Sequence, residues 1–222
     1  PTLHTSGGTK RAVLVGDYLL ARSLELASKA NSETLVKVMT QGMTRLCVSE
    51  INQDFTQGNL FVSQKDYFER IRGKTAELFA LCCFAGAHMG GAEEEICDEF
   101  YQAGLDFGLA FQIDDDVLDY RGDGKKMGKS AGGDLRVGIP TLPLILALED
   151  NNPYLSSLCR SRFRAFFTRK IRKLVMDGGY DKEAMNVAVK YKKSSIDRLG
   201  KIGFSEKETL ISLINFLENR ET

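Results

Sequence analysis

Apolar residues return every three or four positions along most of the 222-residue chain, and no stretch alternates strictly enough to suggest a strand. The pattern predicts an all-α protein. After an extended start at residues 1–8, a first helix is expected from Thr9 to Ala30, with Ala12, Val13, Gly16, Leu20 and Leu24 near one face. Asn31-Ser32 breaks it, and Ser32 is placed to cap a second helix that ends at Gly58-Asn59. The stripe of that helix, Leu35, Met39, Met43 and Leu46, continues in step into two polar residues, Glu50 and Gln53. Ser63 and Asp66 have capping-box spacing ahead of a short helix, Gln64 to Arg72. Another follows from Lys74 to His88, ended by Gly86, Gly90 and Gly91. A long central helix over about 93–120 then gives way to an irregular stretch, 121–139, rich in Gly, Lys and Arg. Beyond Pro140 the spacing predicts helices at Leu142–Leu148, Tyr154–Val175, 181–200 and 205–219.

Composition narrows the class. Thirty Lys and Arg balance thirty Asp and Glu, which argues against nucleic acid as a partner. The five cysteines show no CxxC spacing and most fall in apolar helical patterns, so they read as reduced core residues of a cytoplasmic protein. No apolar run reaches the length of a membrane span. Between Tyr154 and Val175, aromatic residues are interleaved with seven Arg or Lys. That face suits at most a peripheral contact with anionic membrane, although such a run is more often simply solvated.

The candidate chemistry lies in Phe111-Gln-Ile-Asp-Asp-Asp-Val-Leu-Asp-Tyr120. At 100° per residue, Gln112, Asp115, Asp116 and Asp119 fall within one arc of about 100°, with Gly104, Gly108 and Phe111 on or beside it, whereas Asp114 points away. Carboxylates at these spacings repel one another unless they are solvated or hold cations. Oxygen ligands with no His or Cys nearby suit Mg²⁺ shared with substrate phosphates. Lys74 shares a face with Ile71, Leu78 and Cys82, so its ammonium is expected to point inward. Thr75 beside it would stand at a helix N-terminus that favours phosphate. Glu50 and Gln53 read as a buried hydrogen-bonding pair or as site residues. Lys129, in the glycine-rich loop, is placed to close over an anion. An acidic wall, inward lysines and an apolar bundle fit ionisation of a diphosphate carried on a hydrocarbon.

The stretch 111–120, with Gly128-Lys129, Asp134-Leu135, Thr141-Leu-Pro, Gly16-Asp-Tyr-Leu-Leu, Glu50-Ile-Asn-Gln and Lys74-Thr75, resembles the trans-polyprenyl diphosphate synthases over essentially all of residues 1–150. The resemblance implies a single all-α domain over 1–222, with the isoprenoid synthase bundle around a central cavity. It implies a cytoplasmic homodimer in isoprenoid biosynthesis, condensing isopentenyl diphosphate with an allylic prenyl diphosphate. Asp115, Asp116 and Asp119 would bind Mg²⁺. Lys74, Thr75, Phe111, Gln112 and Lys129 would line the allylic diphosphate site, with Lys74, Gln112 and Lys129 taking part in ionisation.

Two departures stand out. Ile139 occupies a position where the family often has Lys. The family's first aspartate-rich motif and its following Arg-Arg-Gly are absent, and the chain opens on the Pro1-Thr2-Leu3-His4 that follows them. The expectation is a bundle lacking its N-terminal helices and inactive alone. Besides an elongating synthase, a non-catalytic or regulatory subunit of a heteromeric prenyl synthase and a terpene cyclase stay open; Gln112 and the Gly-Lys loop favour elongation.

Overall fold

The structure is a computed structural model that describes residues 2–122 and 132–218, and those residues contain helices and no strand. Their contacts divide the chain into two compact units, Pro1–Gln41 and Gly42–Thr222.

The first unit holds α1 (Leu3–Lys29) and the start of α2 (Glu33–Thr56). The Thr2 hydroxyl accepts the Thr5 N–H, so helix begins at Leu3 rather than Thr9. Gly8, at φ 77 and ψ 167, kinks α1 where residues 1–8 were expected to be extended. The expected apolar stripe of α1 is exposed at Val13, Leu20 and Leu24, and Ala27 is its buried residue. Ser32 caps α2 as its position suggests, accepting the Leu35 N–H at 3.1 Å.

The second unit is organised around α5 (Glu94–Arg121), whose largest neighbours are α4 (Glu77–Met89) and α10 (Tyr180–Lys201). Gly104 and Gly108, one turn apart on α5, let α4 approach closely. A Cβ at Gly108 would stand 2.5 Å from the Ala76 Cα, and one at Gly104 would stand 2.7 Å from the Phe79 carbonyl. These glycines therefore seat a helix.

On α5's other flank a series of polar ties reaches α10. Ser195 donates to the Ala103 carbonyl at 2.8 Å and Ser194 to Asp106 at 2.7 Å. Lys192 pairs with Asp114 at 2.7 Å, and Arg121 with Asp181 at 2.8 Å. Asp114 thus leaves the acidic arc to clamp two helices. Lys192→Met is expected to lower stability by about 3 kcal/mol in urea unfolding, because it removes the cation paired with Asp114 in a largely buried site; an unchanged midpoint would contradict this.

The remaining helices of this unit are α3 (Gln64–Ile71), α6 (Gly133–Val137), α7 (Leu142–Glu149), α8 (Pro153–Arg160), α9 (Arg164–Asp177) and α11 (Lys207–Glu218). Ser63 and Asp66 form the expected capping box at the head of α3. Gly86 lies inside α4, which Gly90 and Gly91 close. The single helix expected over Tyr154–Val175 is two, broken at Ser161–Phe163, and one turn of helix, α6, stands in the stretch expected to be irregular. Cys97 and Cys159 are buried, whereas Cys47 and Cys82 are exposed rather than core residues; all five are free thiols.

Candidate active site

The chain runs from α3 into α4 without a break, through a π-turn at Arg72–Ala76. The Glu77 N–H reaches back to the Arg72 carbonyl, so Lys74 and Thr75 sit in a continuous helical ladder. This overturns the expectation of a free helix N-terminus there. With backbone donors engaged, any anion at this point meets side chains. Gly73 brings α2 close, since a Cβ on it would lie 2.7 Å from the Ser49 Cβ. Lys74 is half-buried, its ammonium 3.2 Å from Glu50 and 3.1 Å from the Gln53 side-chain oxygen. Glu50 and Gln53 therefore hold Lys74 jointly instead of forming a buried pair of their own. A groove of 680 Å³ runs beside them, with Gln53 and Arg70 in its lining.

The Thr75 hydroxyl donates to the Gln112 side-chain oxygen at 2.6 Å, and the Gln112 amide donates to Asp116 at 2.8 Å. The other Asp116 oxygen accepts the Tyr67 hydroxyl at 2.8 Å. Asp116 is 3% exposed and Tyr67 fully buried. Burial pushes the Asp116 carboxyl up to about 7, against the opposing pull of the Gln112 and Tyr67 hydrogen bonds. Neutral Asp116 stabilises the fold fully below its unfolded value near 4, and that contribution is lost as pH rises through 7. In metal-free protein, Asp116→Asn is expected to gain stability over wild type between pH 5 and 8, by at most about 4 kcal/mol. Parallel urea-unfolding profiles at the two pH values would contradict this.

Asp119 points at the start of α6. One of its oxygens accepts the Gly132 and Gly133 N–H groups at 3.1 Å, and the other the Asp134 N–H at 3.3 Å. Gly132 is left-handed, at φ 78, which turns these donors towards one carboxylate. Asp115 is exposed and makes no hydrogen bond or ion pair with the described residues. Burial and the charges of Asp119 and Asp115 push the Asp134 carboxyl up, while Lys74 and Arg70 pull it down.

The expected metal face thus divides. Asp116 and Asp119 give their oxygens to protein donors; the Asp115 and Asp134 carboxylates accept from none of the described residues. Among the described residues no three potential ligand side chains gather closely enough to hold an ion by themselves. Phe111 is half-buried against Phe79 and Phe107, with ring centroids 5.3 and 6.2 Å away. Lys129 lies outside the described residues.

Tyr67 and Asp134 were not assigned site roles from sequence. A tyrosine on a fully buried helical stripe requires a hydroxyl partner, which is the signal that points to Tyr67. An acidic residue in a cationic loop was the corresponding sign for Asp134.

The family model described as polyprenyl synthetase matches residues 1–173. The chain belongs to this family. Component 2 of heptaprenyl diphosphate synthase from Bacillus subtilis is 36% identical over 157 residues, covering 71% of this chain and 44% of that protein. Its Geobacillus stearothermophilus counterpart is 38% identical over 150 residues, covering 68% and 47%. The chain thus spans about half the length of these curated relatives.

Crystal structures set the fold as an isoprenoid synthase helical bundle. Heptaprenyl diphosphate synthase from Staphylococcus aureus superposes with a TM-score of 0.91 at 26% identity, over 100% of this chain and 70% of that one. A Caulobacter crescentus polyprenyl synthase, described as complexed with calcium and isoprenyl diphosphate, gives 0.89 at 33% identity, over 99% and 69%. Among the described residues no helix is long and apolar enough to cross a membrane.

Proposed function

We propose that this chain supplies the allylic diphosphate wall of an Mg²⁺-dependent trans-polyprenyl diphosphate synthase, which condenses isopentenyl diphosphate with an allylic prenyl diphosphate in isoprenoid biosynthesis. One observation carries the reading: Lys74 and Arg70, from the α3–α4 segment, act on the charge of the Asp134 carboxyl, which also feels Asp115 and Asp119 of α5. Lys74, Thr75 and Gln112 would bind the diphosphate, and Lys129 would reach the same group. Phe111 would contact the first carbons of the prenyl chain. Both compact units would belong to one prenyl synthase domain.

The donor set fits Mg²⁺ in part. Asp115 and Asp134 offer carboxylate oxygens without hydrogen-bond or ion-pair partners among the described residues, the chemistry Mg²⁺ prefers when it shares ligand phosphates. Asp116 fits poorly as a ligand, being buried and hydrogen-bonded at both oxygens; its role would be to hold Gln112 in place. Asp119 would hold α6 and with it Asp134. When bound, Mg²⁺ would neutralise charge developing on the departing diphosphate.

That the Caulobacter polyprenyl synthase is described as complexed with calcium and isoprenyl diphosphate supports a divalent ion and a prenyl diphosphate as the ligand classes. Incubating the complete protein with isopentenyl diphosphate, an allylic diphosphate and Mg²⁺ is expected to give a longer prenyl diphosphate. Failure to consume the allylic substrate would contradict the reading. Two relatives named as component 2 favour a second arrangement, in which this protein works with a different subunit rather than a second copy of itself. Product formed only after a second protein is added would distinguish it.

A further inference from the structure

The outward face of α9 takes no part in the site described. From Asn151 to Met176 the chain contains no Asp or Glu, and seven Arg or Lys stand between Arg160 and Lys173, in a chain of zero formal net charge. Thr168, Ile171 and Val175 are buried and fix the inner face of α9 to the body. At 100° per residue the opposite arc, about 120° wide, carries Phe166, Arg169, Lys170 and Lys173, with one acid, Asp177 at the helix end, paired with Lys173 at 2.6 Å. Phe166 is 84% exposed and Phe163, just before the helix, 61%; their rings stand 6.4 Å apart. The Lys170 ammonium lies 4.8 Å from the ring of Tyr154, itself exposed, and the Arg160 guanidinium lies 4.9 Å from that of Phe61.

A merely solvated basic face has no use for rings at this exposure. Exposed aromatics interleaved with cations match the headgroup layer of an anionic bilayer, where rings leave water and Lys or Arg meets lipid phosphate. We propose that α8–α9 is a docking face for an anionic membrane surface. With no helix long enough to span among the described residues, the contact lies on the surface.

The placement is functional as well as chemical. Arg172 on α9 donates to the Tyr120 carbonyl at the acidic end of α5, and a Cβ on Gly132, beside the Asp119 contacts, would come within 2.8 Å of the Thr168 methyl. Docking by α9 therefore brings the bilayer beside the end of the bundle that holds Asp115 and Asp134. The use of that proximity, passing an apolar chain to lipid, rests on the proposed prenyl chemistry; the docking itself does not.

Co-sedimentation of the full chain with phosphatidylcholine vesicles, with and without phosphatidylglycerol, tests the inference. Binding is expected with phosphatidylglycerol, reduced by high salt, and absent with phosphatidylcholine alone. Phe163→Ser with Phe166→Ser, and separately Lys170→Glu with Lys173→Glu, are each expected to lower partitioning by about tenfold or more. Lys190→Glu with Lys193→Glu on α10 makes the same charge change at exposed sites without aromatics and is expected to stay within about twofold of wild type. Unchanged circular dichroism would confirm that each variant folds. The inference is overturned by absence of binding to the anionic vesicles, by equal losses in the α9 and α10 charge variants, or by no effect of the phenylalanine pair. Displacement of bound vesicles by poly(U) RNA would also overturn it, in favour of a nucleic-acid surface.

Discussion

Asp115→Ala is expected to lower consumption of the allylic diphosphate by about 10²-fold or more, the loss that follows removal of a main electrostatic contact to a leaving group. The same variant should unfold at the same denaturant concentration as wild type or slightly higher. Asp115 has no hydrogen-bond or ion-pair partner among the described residues to lose, and its charge works against nearby Asp134. Loss of rate without loss of stability marks a residue kept for its ligand. Asp116→Asn makes the informative contrast. If Asp116 acts by orienting Gln112, the amide retains much of that role and the rate falls far less than in Asp115→Ala. Equal losses would return Asp116 to the metal, and a full rate in Asp115→Ala would remove the metal role of this wall.

The largest stability effect is expected at Gly108→Ala. Alanine for glycine inside a helix ordinarily gains about 1 kcal/mol. Here the added methyl carbon would meet the Ala76 Cα at 2.5 Å, the Ala76 Cβ at 3.0 Å and the Phe79 ring at 3.1 Å. Backbone on one side and a half-buried ring packed against Phe107 and Phe111 on the other leave no cheap relief, so the net change is expected to be a loss of about 2–4 kcal/mol. Moving α4 off α5 would also stretch the 2.6 Å bond from Thr75 to Gln112, so activity should fall with stability. Gly86→Ala is the control: it lies inside α4 with open space where the added methyl would stand, and a gain of up to about 1 kcal/mol is expected. Thermal melting of both variants checks this, and Gly108→Ala melting at or above wild type would contradict the packing described.

What sequence could reveal followed how local each cause was. The Ser63–Asp66 capping box depends on four residues and forms as its spacing suggests. The length of α5 and the outward turn of Asp114 follow from helical periodicity alone. The π-turn was not legible, because one extra residue inside a helix looks like a boundary between two helices, and it moved Lys74 and Thr75 from a helix start to a helix interior. The start of α1 depended on a single threonine cap, and the α8–α9 break at Ser161–Phe163 interrupts a pattern that reads as continuous.

Helical phase likewise put Asp115, Asp116 and Asp119 on one arc, and could not say which would find protein donors. That was decided by Tyr67, 49 residues from Asp116 in sequence, and by the backbone of Gly132–Asp134. Residue types and their spacing carried the chemistry; the division of labour among the carboxylates came from long-range contacts.

At the centre of the proposed chemistry, Asp115 with Asp134 supports a divalent ion against an allylic diphosphate. Equilibrium binding of a non-ionising allylic thiodiphosphate, with and without Mg²⁺, tests this most directly in wild type and Asp115→Ala. Wild type is expected to bind the analogue at least about tenfold more tightly with Mg²⁺ than in EDTA, and Asp115→Ala to lose that difference. Equal affinity with and without the ion in wild type, or a Mg²⁺ effect that survives intact in Asp115→Ala, would contradict it.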